Sequence, residues 1–98
     1  MDFMEEQYFI VRTDRAGVFF GKIKENKGTS IIMQDVRKIF YWDGAAAVEE
    51  ISQNGVDSRT SKITIAVPEM EIAAPIQIIP CTEKARINLN GTIVWKRQ

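Results

Sequence analysis

The segment Gln7 to Thr13 sets the strongest limit on the fold, because it is apolar on both of its faces. In an extended chain alternate side chains point opposite ways, so Tyr8 and Ile10 share one face while Phe9 and Val11 share the other. A strand of this kind must be covered on both sides, which makes it central rather than a solvated edge. The chain has 98 residues, enough for one domain (1–98) and too few for two independent cores. A domain this small buries only about 60–65% of its unfolded surface, so surplus apolar surface is expected to meet a second copy or a partner.

Turn signals divide the rest into short elements. Asp14-Arg15-Ala16-Gly17 reads as a turn, with Gly17 able to take a positive φ. Val18 to Lys24 follows as a strand with Phe19, Gly21 and Ile23 on one face, and Gly21 marks a bend or a close backbone approach. Glu25-Asn26-Lys27-Gly28 suits a hairpin loop, and the chain returns through Thr29 to Gln34. Asp35 to Lys38 predicts a bend or bulge before Ile39 to Trp42 resumes in extended form.

A helix is expected over Ala45 to Gln53, capped by Asp43, with Val48 and Ile51 on its inner side and Asn54-Gly55 as its stop. Val56 to Ser61 is polar and loop-like. Lys62 to Val67 alternates, with Ile63, Ile65 and Val67 inward, and Pro68 is expected to end that strand. Glu71 to Ile79 is a strand interrupted at Pro75. Thr82 and Glu83 begin a short helix reaching about Asn88, and Thr92 to Lys96 forms a last strand carrying Trp95. The pattern predicts a mainly β (α+β) domain. Its sheet is small, bent and antiparallel, or a partly open SH3/Sm-like barrel, with two short helices.

Composition removes several functions. With 45% hydrophobic and 27% charged residues, the chain reads as folded rather than disordered. Thirteen basic residues balance thirteen acidic ones, which counts against a dedicated nucleic-acid binder. No histidine is present and Cys81 is the lone cysteine, so a Ser-His-Asp or Cys-His arrangement and a structural zinc site lack their residues. Cys81 stands at a helix start, where a thiol pKa can fall, but a small buried residue at a strand-to-helix corner is the simpler reading. The acidic start Met1 to Glu6 lacks a signal-peptide pattern, and no apolar run approaches the roughly 20 residues that span a bilayer. A cytoplasmic binding protein without catalysis, cofactor or metal is the expectation.

The candidate site is the stretch from Arg37 to Ala45. Arg37 and Lys38 supply cations, Tyr41 and Trp42 aromatic planes, Asp43 a carboxylate, and Gly44 and Ala45 the amides of a helix start. Bases stack on aromatic rings, arginine meets phosphate, and free amides face anions, so a nucleotide-like ligand fits this combination. The alternative reading puts Phe40 and Trp42 in the core, Tyr41 at its rim, and Asp43-Gly44 in a simple cap and turn. Arg12, from a second polar cluster with Asp14 and Arg15, is a further candidate. Lys84, Arg86, Lys96 and Arg97 make the C-terminal part basic, most simply as solvated charge.

Three strings carry a resemblance: Ala16-Gly17-Val18-Phe19-Phe20-Gly21, Tyr41-Trp42-Asp43-Gly44-Ala45 and Ile78-Ile79-Pro80-Cys81-Thr82-Glu83-Lys84-Ala85. With the Trp95-Lys96 ending, they resemble a family of small uncharacterised proteins of tailed phages and prophages over nearly the whole chain. Val48 to Arg59 departs from that pattern, which bears on ligand choice. The resemblance implies a phage accessory protein in the cytoplasm of a bacterial host. By analogy with other small β-rich phage proteins, it implies an oligomeric sponge that sequesters a nucleotide-derived immune signal. The alternatives are an inhibitor that binds a host defence protein, and a small-barrel nucleic-acid binder.

Overall fold

One long strand carries the sheet. In a computed structural model that describes residues 7–96, Ser30–Tyr41 forms a twelve-residue strand, β3, with neighbours along both of its edges. The meander before it consists of β1 (Phe9–Thr13) and β2 (Val18–Asn26). After β3 come α1 (Val48–Asn54), β4 (Lys62–Ile63), β5 (Val67–Ala73), β6 (Pro75–Pro80) and α2 (Glu83–Gly91). The antiparallel order is β4-β3-β2-β1-β6, and β5 pairs with the first part of β3. The acidic start Met1 to Glu6 and the basic Arg97 lie outside the described residues.

The two-faced strand does what its sequence requires. Ile10 and the preceding Tyr8 join a core shared with Phe20, Ile39, Val48, Ile51 and Leu89, beneath the helices. Val11 faces a second core with Phe19, Ile31, Met33, Val36 and Ile72, inside the curl of the sheet, and Phe9 packs against it. The Tyr8 and Phe20 rings stack at 4.8 Å. β1 is central, between β2 and β6.

Curvature has local causes. A Cβ on Gly21 would lie 2.9 Å from the Val36 Cα, so glycine lets β2 and β3 approach closely. Opposite it Asp35, at φ 51°, bulges β3 without breaking the strand. Between β5 and β6, Ala74 at φ 54° redirects the chain. Its N–H donates to the Thr29 carbonyl at 2.9 Å and its carbonyl accepts from the Asp14 N–H at 3.0 Å. One segment thus crosses from the β3 edge to the β1 edge, and no ladder joins β5 to β6 among the described residues. The result is a strongly bent, unclosed antiparallel sheet with two helices, as the pattern predicted.

Four expectations are corrected. The first helix begins at Val48, not Ala45, and Asp43 does not cap it. The Ala47 position supplies no side-chain cap, and the Glu50 carboxylate instead accepts from the Ala46 N–H at 2.8 Å. The expected strand from Lys62 to Val67 shrinks to Lys62–Ile63, and Ile65 is 63% exposed rather than inward. Pro68 lies inside β5, where the ladder passes from Gln34–Glu69 to Val36–Val67 and Asp35 bulges away. Thr92 to Lys96 makes no strand, only a parallel bridge between Val94 and Ile63.

The second helix starts as expected. The Ala85 N–H donates to Thr82 Oγ1 at 3.1 Å, and the helix runs on to Gly91. Asn88 then ties the helices' connection: its carboxamide accepts from the Val56 N–H and donates to the Val56 carbonyl. Among the described residues no helix is long and apolar enough to cross a membrane.

Candidate functional site

Arg37 is turned inward. Only 4% of it is exposed, and its guanidinium donates to the carbonyls of Thr64 (2.7 Å), Leu89 (2.7 Å) and Ile63 (3.3 Å). Burial lowers its pKa. It is a structural cation that ties β3 to β4 and to the end of α2, not an exposed phosphate contact. Lys38 lies half-buried with its ammonium 5.9 Å from the Phe19 ring.

The motif from Tyr41 to Ala45 splits. Trp42 is half-buried against the helix-side core and donates from Nε1 to the Ala45 carbonyl at 3.2 Å. It shares a cavity of about 290 Å³ with Arg12, Val18 and Glu49. Glu49 is held below the usual carboxylate range, chiefly by the Gln77 amide and further by the Arg12 charge. Tyr41 faces the opposite way into solvent. Its hydroxyl donates to the Asp43 carboxylate at 3.1 Å, and that hydrogen bond with the Asp43 charge raises the phenol pKa. Gly44, at φ 86°, presses on Asp57: a Cβ there would sit 2.9 Å from the Asp57 nitrogen. The amide of Ala46 is already taken by Glu50, so the segment after Gly44 is not an open anion nest.

What gathers beside Tyr41 is a different set of residues. Phe40, expected in the core, is 57% exposed and stacks on Trp95 with ring centroids 4.9 Å apart and planes 11° from parallel. The Lys62 ammonium lies 5.5 Å from the Trp95 ring and 5.8 Å from the Tyr41 ring. Trp95 is held by its own N–H, which donates to the Ile63 carbonyl at 2.9 Å. Against this edge opens a cavity of about 830 Å³, lined by Ser58, Arg59, Ser61, Ile93, Trp95 and Lys96 among others. Trp95 brings an aromatic plane to the cavity with Arg59 and Lys96 as its cations, while Phe40, Tyr41 and Lys62 stand on the edge outside its lining. Sequence reading missed Trp95, Lys62 and Arg59. Aromatics outside the main motif, followed by a basic residue as in Trp95-Lys96, were the available signal.

A second depression of about 670 Å³ lies over Phe9, Ile23 and Ile78. Its cation, Lys22, is engaged with Asp35 at 3.0 Å, which weakens it as an anion site. Among the described residues no three His, Cys, Asp or Glu side chains gather in a way that could hold a metal.

Cys81 is half-buried at the strand-to-helix corner, and burial pushes its thiol up to about 12. A thiolate is the reactive form, so native Cys81 is expected to resist iodoacetamide at pH 8. Denatured protein should label at least about tenfold faster, given an unfolded thiol pKa near 8.5. Mass spectrometry of timed samples checks this, and equal rates refute it. The linkage runs the same way: the support this thiol gives the fold is complete below about pH 8.5, and it is lost as pH rises from there through about 12.

A family model described as Domain of unknown function (DUF6948) matches residues 6–89. That span includes Phe40, Tyr41, Arg59 and Lys62 and ends before Trp95. No curated protein and no solved structure matches the chain.

Proposed function

We propose that this chain, which belongs to the DUF6948 family, is a binding protein that holds a nucleotide-like anion on its aromatic edge without turning it over. The observation that carries this reading is the exposed Phe40–Trp95 stack with Lys62 against it, beside a cavity of about 830 Å³. Ligand cavities for small molecules span about 300–1,000 Å³. Base-on-aromatic stacking contributes about 1–3 kcal/mol per base and tolerates any base. The absence of histidine removes the commonest general base, which favours holding over turnover. In the phage setting suggested by the sequence, the ligand is a nucleotide-derived immune signal and the protein a homo-oligomeric sponge in the bacterial cytoplasm.

Exposed Ile93 (81%) and Ile65 (63%) favour a second reading, in which a host defence protein docks here instead. Balanced charge disfavours a long nucleic acid.

The test is depletion and heat release. Protein is incubated with cyclic mononucleotides, cyclic dinucleotides and cyclic ADP-ribose, then denatured, and the supernatant is chromatographed. Recovery of one intact signal is expected. A cleaved product shows an enzyme, and no depletion of any signal overturns the proposal. Trp95→Ala is expected to weaken binding at least about fivefold, from the loss of one stacking platform. Its thermal midpoint should fall by roughly 4–8 °C, the scale for losing about 1 kcal/mol of stacking on Phe40. Calorimetric titration measures the first and a melting curve the second.

A further inference from the structure

We infer that Arg59, with the Ser58 hydroxyl beside it, receives the phosphate group of a nucleoside phosphate whose base stacks at Trp95. This assignment rests on the stacking reading above and adds the ligand's second recognised group.

The loop that carries Arg59 is fixed, and the Tyr41-to-Ala45 motif fixes it. The Asp57 N–H donates to the Asp43 carbonyl at 2.8 Å, and the Asp43 N–H donates to Ser61 Oγ at 3.0 Å. Gly44 lets the two segments touch, because any Cβ there meets the Asp57 backbone. The loop closes on itself through the Ser61 N–H, which donates to the Asp57 carbonyl at 3.0 Å. Asp43 and Gly44 are therefore positioning residues for the loop.

Within that loop Arg59 meets the Asp57 carboxylate through its main chain and its side chain, with bonds of unequal quality. The carboxylate accepts from the Arg59 main-chain N–H at 2.9 Å, a bond that shapes the turn. The guanidinium reaches it only at 3.4 Å, from Nε and from Nη2, whereas charged N–H···O bonds run about 2.7–2.9 Å. The Arg59 side chain is 86% exposed, in a cavity that Trp95 also lines. An incoming phosphate can thus take the guanidinium in its fork without undoing the turn. Among the described residues the Ser58 hydroxyl has no partner, and Lys96 adds a second cation at the same cavity. The geometry selects a planar heterocycle carrying a phosphate over the same heterocycle without one.

Calorimetry with the four common ribonucleosides and their 5′-monophosphates tests this on the wild-type protein, Arg59→Ala and Asp57→Asn. For at least one base, wild-type protein should bind the monophosphate about tenfold or more tightly than the nucleoside. Arg59→Ala should cut that ratio severalfold through lost monophosphate affinity, with Ser58 and Lys96 keeping the remainder. Asp57→Asn keeps the oxygen that shapes the turn and removes the competing charge, so it should tighten monophosphate binding. Equal affinity of wild-type protein for both forms, or a ratio unmoved by Arg59→Ala, overturns the phosphate assignment alone. If neither form of any base binds, the stacking reading falls and this inference with it. An unchanged melting temperature for Arg59→Ala, whose side chain is 86% exposed, separates its effect from unfolding.

Discussion

Replacing Arg37 with methionine is expected to cost about 3 kcal/mol of stability, the scale for leaving buried carbonyl acceptors without a donor. Methionine fills much of the volume but donates nothing to the carbonyls of Thr64, Leu89 and Ile63. The Thr64 and Leu89 carbonyls lose their donor, at about 1–3 kcal/mol each, while the Ile63 carbonyl keeps the Trp95 N–H. Arg37→Lys should recover only part of the loss, because one ammonium cannot reproduce a planar fork spanning three carbonyls. The damage should extend to the ligand edge. Ile63, gripped by Arg37, also anchors Trp95 through its carbonyl, and its neighbour Lys62 faces the rings. Urea unfolding measures the stability change, and a loss under about 1 kcal/mol would refute the structural role given to Arg37.

The second large effect is expected at Gly55, where α1 stops. Its backbone, at φ 81° and ψ −155°, lies in a region that is essentially glycine's own. A Cβ there would also overlap the Asn88 carboxamide. That carboxamide makes both of its bonds to Val56, so moving it breaks the tie between the α1 exit and α2. Backbone strain costs about 1–3 kcal/mol, and the displaced hydrogen bonds add to it. Gly55→Ala should therefore lose about 3 kcal/mol, read as a lower urea midpoint with an unchanged slope. Gly28→Ala is the control, since nothing lies within 4 Å of a Cβ there although φ is also positive.

Local chemistry made much of the fold legible. The two apolar faces of β1, the turn glycines Gly17 and Gly28, the tight Gly21 and the Thr82 cap all act on neighbours or on pleat geometry. Features set by distant partners were not legible. Arg37 reads as a surface cation because its acceptors lie 26, 27 and 52 residues away. Ile65 fits an alternating pattern, yet β4 ends at Ile63 and the chain leaves the sheet. The same limit divided the site. Tyr41 and Asp43 do stand together, while Trp42 turns to the core and Phe40 to solvent. Trp95 and Arg59 arrive from segments whose local sequence suggests only a strand and a solvated loop.

The crossing at Ala74 also bears on how the molecule can come apart. β5 and β6 are one covalent segment that clasps the first edge of β3 and the free edge of β1. Neither edge of the meander can be stripped without pulling on the other. The segment behaves as a latch with two catches and one pin, which couples the opening of both edges into one cooperative event.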